Sequence, residues 1–230
     1  MISTPQSALP RWAAADVYMF DIDGTLMNTR DGVHYYAFRN ALREHFGIEG
    51  TIDGVPVHGN TDLGILRAVL KREGISDADF EARLPQLIRH MCDEVQRNAA
   101  NIRVELCPSI PELLAALHAA GKLMGIVSGN LETIGWAKIE AAGLRHYFSF
   151  GSFSDHRELR EDIFQRGIEE AHRLAGRDAR IMVVGDTPSD IAAARKVGIP
   201  ILSVATGTFG RDQLDALGPD LCVSCCTELL

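Results

Sequence analysis

No stretch of this chain approaches the roughly 20 consecutive apolar residues of a membrane-spanning helix. Its opening, Met1 to Gln6, lacks the charged flank and apolar segment of a secretory leader. There is no basic excess. With 31 acidic against 23 basic residues, the formal net charge is −8, and neither nucleic acid nor an anionic membrane is attracted to such a surface. The five cysteines, at 92, 107, 222, 225 and 226, are odd in number and irregular in spacing, which argues against a secreted disulfide framework. Cys222-x-x-Cys225-Cys226 has no second pair or histidine near it in sequence to complete a zinc site. Repeats and low-complexity linkers are also missing. These absences leave a soluble cytoplasmic protein as the expectation, with no nucleic-acid or membrane partner. A small anionic substrate stays compatible with the charge, because local cations and a metal can dominate a pocket.

With 230 residues and 46% hydrophobic composition, the chain can bury one large domain, or one domain with an insert. Val17 to Phe20 reads as a buried strand. Apolar-periodic segments near 34–46, 61–73 and 78–99 follow, and no strand pattern interrupts them. They predict a helical insertion after the first strand, with Pro85 marking a break or kink in the third segment. From Ser109 strands and helices alternate, which implies a parallel sheet covered on both faces. Ser109-x-x-Glu112 has the form of a capping box for a helix ending at Gly121. Strands are expected at 123–127, 147–151, 180–184, 200–205 and 221–224, with helices at 131–142, 158–175, 188–197 and 211–217. Pro188 suits a first helical position and Gly198 a C-terminal cap.

The polar clusters fall at the carboxyl ends of these strands, where such sheets bind ligands. Asp21-Ile22-Asp23-Gly24-Thr25 follows the first strand. Asp23-Gly24 alone is an ordinary turn, but four fixed identities arise by chance in only about one chain in a thousand of this length. Alternation along the strand returns Asp21 and Asp23 to one side, so one can attack while the other handles the proton. Asp186 and Asp190, one helical turn apart, can complete an oxygen-ligand site for Mg²⁺ with Asp21. Asp190 also suits a helix N-terminus on its own account. Ser128-Gly129-Asn130 offers a hydroxyl and backbone N–H groups to a phosphate oxygen, or a plain helix cap. No lysine lies between Lys138 and Lys196, so the cation that offsets phosphoryl charge is sought at Arg157 or Arg160, which open the long helix. Asn60 and Thr61 start a helix of the insert; they supply substrate contacts if the insert closes over the site, and a helix cap otherwise. Gly207-x-x-Gly210 is too short for a nucleotide-binding loop.

Together these motifs resemble those of the haloacid dehalogenase superfamily, in its phosphatase branch with a helical cap, across nearly the whole chain. The resemblance implies an α/β fold: a doubly wound, Rossmann-like parallel-sheet core of residues 1–30 and 103–230, with a helical cap domain of residues 31–102 inserted after the first strand. It implies Asp21 as nucleophile and Asp23 as general acid/base, with the Asp23 backbone carbonyl also on Mg²⁺. Gly24, Thr25, Ser128, Gly129 and Asn130 would then hold the phosphoryl group. Asp186 is a metal ligand and Asp190 acts behind it or through water. Where most members carry a lysine in the third motif, this chain is similar to a phosphoglycolate-phosphatase-like subgroup with arginine. Arg160-x-x-Ile163, followed by Gly167 and Ala171, fits it best, with Arg157 in reserve. Asp23 argues against dehalogenation, and the cap's one lysine, Lys71, against phosphonate hydrolysis. The implied activity is Mg²⁺-dependent hydrolysis of a small phosphomonoester by a monomer or homodimer. A sugar phosphomutase of the same fold is the alternative. From another class, an Asp-phosphorylated signalling module has no use for a helical insert over its site.

Overall fold

The computed structural model describes residues 11–50 and 52–230. Val17–Phe20 (β1) is buried along its length, as a strand covered on both faces must be. Tyr18 and Phe20 enter one apolar layer with Leu114, Met124 and Ile139. Val17 and Met19 enter the opposite one with Ile163, Phe164 and Val183. The chain then turns at Gly24, whose φ of +84° lies in the left-handed region, and continues as Met27–Thr29 (β2).

Three helices follow: Val33–Phe46 (α1), Asp62–Arg72 (α2) and Asp77–Arg97 (α3). Val104–Leu106 (β3) then pairs antiparallel with β2, Met27 opposite Leu106 and Thr29 opposite Val104. This ribbon ties the two ends of the insert together. Sequence pattern does not reveal it, because three residues are too few to display a period of two.

The rest alternates: Ile110–Ala119 (α4), Leu123–Val127 (β4), Glu132–Ala141 (α5), Phe150–Ser152 (β5), Arg160–Ala175 (α6), Ile181–Gly185 (β6), Pro188–Val197 (α7), Ile201–Val204 (β7), Arg211–Asp215 (α8) and Leu221–Val223 (β8). All the pairings among β1 and β4 to β8 are parallel, in the order β5-β4-β1-β6-β7-β8. The doubly wound α/β core is therefore present. Its switch point lies at β1, where the chain has filled one side with β4 and β5 before crossing to β6.

The insert has its own apolar core, in which Phe38, Leu42, Leu66, Phe80 and Met91 pack with Leu131 and Ile134 at the start of α5. It thus sits over the carboxyl ends of the strands. Pro85 does not break α3, which runs through it to Arg97. Pro85 is exposed, as is Glu81, whose carbonyl loses its partner, while Phe80, Leu87 and Met91 hold both halves on one core. The capping box at Ser109 is absent too. Its φ of 61° turns the residue out of the extended conformation a cap requires, and its hydroxyl lies 2.8 Å from Thr227 Oγ1 instead. The strand expected at 147–151 begins later, at Phe150, after a 3₁₀ turn over Arg145–Tyr147. The five cysteines are free thiols, and no described helix is long and apolar enough to cross a membrane.

Candidate active site

A cavity of about 360 Å³ lies between the sheet and the insert. Asp21, Asp23, Gly24, Ser128, Gly129, Asn130, Arg160, Asp186 and, from the insert, Asn60 all line it. Three strand ends deliver these groups: β1 carries Asp21, β4 Ser128 and β6 Asp186.

Asp21 is buried, with Arg160 Nη2 3.0 Å from its Oδ1. Arg160 opens α6 and is itself buried. Its Nε donates to Asp190 Oδ1 at 2.7 Å, and Nη2 also lies 2.7 Å from that oxygen. These Nη2 contacts are ion pairs; no described acceptor lies along its N–H directions. A buried guanidinium with donors to spare beside a buried carboxylate suits a phosphoryl oxygen. Arg157 does not line the cavity.

Asp190 is fully buried and spends both oxygens. Oδ1 faces Arg160, while Oδ2 accepts from the Thr187 amide at 3.0 Å and the Thr187 hydroxyl at 2.7 Å. The capping box of α7 and the anchoring of Arg160 are thus one arrangement. Protein donors thus fill three of its acceptor positions.

Asp186 accepts from the Thr25 hydroxyl at 3.0 Å through Oδ1. Its Oδ2 lies in a slot between two glycines: a Cβ at Gly24 would fall 2.2 Å from it, and one at Gly207 only 1.8 Å. Gly207 therefore belongs to the site, whereas the Gly207-x-x-Gly210 pattern in sequence suggests only a rejected nucleotide loop. Thr25 is the converse. Fully buried, it holds Asp186 rather than reaching a phosphate.

Ligand oxygens of Asp21, Asp186 and Asp190 lie within 4.8 Å of one another. Burial first, then its acidic neighbours, hold the Asp186 carboxyl above the ordinary range. Burial likewise raises that of Asp21, against the pull of Arg160. Such crowding of hard oxygen donors fits a divalent cation such as Mg²⁺, which would remove the repulsion. Asp21 and Asp186, which carry fewer protein donors than Asp190, would be the ones to hold it.

Asp23 has a different environment. Its side chain is 42% exposed, and Lys138 Nζ donates to its two oxygens at 2.9 and 2.7 Å. Asn130 Nδ2 adds a bond at 2.8 Å to Oδ2. Desolvation opposes ionisation, but Lys138 and Asn130 outweigh it and the carboxyl lies below its usual value. Lys138 also donates to Asn130 Oδ1 at 2.8 Å. Sequence reasoning passes over this residue and seeks the cation only among arginines. Its signal is a lysine one turn after Gly135 and beside Ile139, on the buried face of α5.

Ser128 is buried and its Oγ accepts from Asn130 Nδ2 at 2.8 Å. Its own proton donates to none of the described residues, which leaves it for a ligand. Gly129 makes room for the insert, since a Cβ there would lie 2.5 Å from the Asn60 carbonyl oxygen. Thr61, also expected at the substrate, points elsewhere: its hydroxyl accepts from Gly64 N as the cap of α2 and donates to the Glu158 carbonyl at 2.7 Å. Asn60 reaches the cavity wall, with its side chain bonded to Thr61 N and the Pro56 carbonyl.

Residues 18–204 match the family model of the haloacid dehalogenase-like hydrolases. The chain is 30% identical over 219 residues to a phosphoglycolate phosphatase of Synechococcus elongatus, covering 92% of this chain and 94% of that protein. It is 27% identical over 202 residues to one of Mesorhizobium japonicum, covering 85% of each. In fold it is similar to CbbY from Rhodobacter sphaeroides, solved in complex with phosphate, with a TM-score of 0.72 and 19% identity over 94% of this chain and 96% of that one. The chain belongs to the haloacid dehalogenase-like hydrolase family, and its place there is with the phosphatases.

Proposed function

We propose that the chain hydrolyses small phosphate monoesters through an aspartyl-phosphate on Asp21, in a Mg²⁺-dependent reaction. The observation that carries this reading is a division of labour between two carboxylates at one cavity. Asp21 is buried against Arg160 and Asp186, whereas Asp23 is half exposed and held by Lys138 and Asn130. The Asp21 carboxylate attacks phosphorus as the ester P–O bond breaks, and Asp23, ionised against Lys138 and Asn130 until the ester's negative charge enters beside it, takes up the proton that it gives to the departing oxygen. Asp23 then takes a proton from water, whose oxygen attacks the same phosphorus and frees Asp21 and inorganic phosphate. The Ser128 hydroxyl and Arg160 Nη2 donate to the phosphoryl oxygens where charge develops. Asp21, Asp186 and the Asp23 carbonyl would hold Mg²⁺, which would supply further charge neutralisation.

Phosphate release across a panel of small phosphomonoesters, with Mg²⁺ and with EDTA, tests the reading, with Asp21→Asn as the blank. Mg²⁺-dependent release lost in Asp21→Asn is expected. Full turnover in EDTA, or turnover by Asp21→Asn, would overturn it. A mutase would release little inorganic phosphate in the same assay.

A further inference from the structure

The cavity is asymmetric in charge, and the asymmetry bears on what the phosphate is attached to. Among the described residues its lysines and arginines are Lys138 and Arg160 alone. Both stand at the phosphate end, on Asp23 and Asp21. The rest of the lining, which the alcohol portion of a bound ester would meet, has no basic residue among the described ones except His34 and His58. His34 Nε2 lies 3.2 Å from Asp62 Oδ2, and His58 Nδ1 lies 3.1 Å from the Thr208 hydroxyl.

Two further carboxylates, Asp62 and Asp31, belong to that lining, and both are fixed by backbone amides. Asp62 accepts from Leu131 N at 2.8 Å. Asp31 accepts from Val33 N at 2.8 Å and Arg103 N at 2.6 Å. What remains there is neutral, with Asn28, Tyr35 and Asn60 for hydrogen bonding and Phe38, Val57 and Ile65 for apolar contact. A carboxylate or second phosphate on the substrate would be desolvated against like charge, with no lysine or arginine among the described lining residues beyond Lys138 and Arg160 to meet it.

We propose that this site selects phosphomonoesters whose alcohol portion carries no negative charge, and rejects those with a carboxylate, phosphoglycolate among them. The inference rests on the phosphomonoesterase reading above. Specificity here is set by the insert and the β2 segment leading into it, not by the catalytic carboxylates.

The test compares 2-phosphoglycolate with 2-hydroxyethyl phosphate, in which a hydroxymethyl group replaces the carboxylate, at saturating Mg²⁺. 4-Nitrophenyl phosphate serves as the reporter of the chemistry. The neutral ester is expected to have a kcat/KM higher by roughly tenfold or more, the scale of one unpaired charge facing like charges. Equal values, or a preference for phosphoglycolate, would overturn the proposal while leaving the phosphatase intact. No Mg²⁺-dependent release from any of the three would remove the phosphatase reading and this one with it. His58→Arg, at an exposed rim position, is expected to raise the phosphoglycolate value relative to the neutral ester; an unchanged ratio would overturn the electrostatic origin of the selectivity.

Discussion

Arg160 and Lys138 show how two cations at one site acquire different work from their partners. Arg160 is clamped by Asp190 from behind and aims at Asp21, so its removal strips charge from the nucleophile and the phosphoryl group together. Arg160→Ala is expected to lower kcat by about 10²–10³-fold, the usual cost of losing a donor at developing charge. Arg157→Ala should stay near wild type; steady-state kinetics of the pair checks both, and the reverse ranking would move the role to Arg157. Among the described residues Lys138 Nζ donates to Asp23 and Asn130 alone, so in the proposed reaction its effect passes through proton transfer. Lys138→Met keeps the buried stem and removes the charge. Its kcat loss, within the roughly 10²–10⁴-fold range of general acid-base catalysis, is expected to be largest for esters with poorly leaving alcohols and smallest for an aryl phosphate. Equal losses across leaving groups would show that Lys138 acts on binding instead.

At the level of elements, the insert is clasped to the core mainly by the first turns of α2. Asp62 N donates to the Gly129 carbonyl at 2.7 Å, Thr61 bonds the Glu158 carbonyl, and Arg67 Nε reaches both carboxylate oxygens of Glu158 at 2.8 and 2.7 Å. The Arg67 guanidinium also lies 4.4 Å from the centre of the Phe80 ring, which fixes its orientation. Glu158→Gln weakens this clasp without touching the cavity. A KM raised about 2–5-fold is expected, with thermal stability nearly unchanged, since partly exposed ion pairs contribute about 0–1 kcal/mol. Kinetics and a melting curve on one preparation separate the two effects.

These contacts also mark what sequence could and could not reveal. Helices of the insert and the strands β1 and β4 are legible because periodic apolar residues and terminal Gly or Asn/Asp residues agree. The capping box at Thr187 is legible as a helix start, but not its second use in holding Arg160, since that partner lies 30 residues away. Ser109 has the same local pattern and fails, because the backbone there is left-handed. Asp21, Asp23 and Asp186 can be read from motifs. Lys138 and Gly207 cannot, for their roles exist only once α5 and the loop after β7 are folded against the β1 turn.

For the molecule as a whole, the crowded carboxylates set stability against function. Burial and acidic neighbours raise the carboxyl of Asp186 in the folded state, so the folded protein binds a proton there more tightly than the unfolded chain does. Stability from that group is present below the ordinary aspartate pKa and is lost as pH rises toward the raised value. In EDTA the melting temperature should therefore fall between pH 5 and pH 8. Asp186→Asn removes the charge and should melt higher than wild type in EDTA at pH 8, although it impairs catalysis. Mg²⁺ reverses the order. At about 100 times its dissociation constant it adds about 2.7 kcal/mol to a protein that binds it only when folded, or about 5–10 °C for a chain of this size. Asp186→Asn should gain little of that. Thermal melts of both proteins across the pH range, with Mg²⁺ and with EDTA, check the crossing. If the substitution destabilises the EDTA form at pH 8, Asp186 is not the strained carboxylate; if it leaves the Mg²⁺ gain intact, Asp186 is not the ligand.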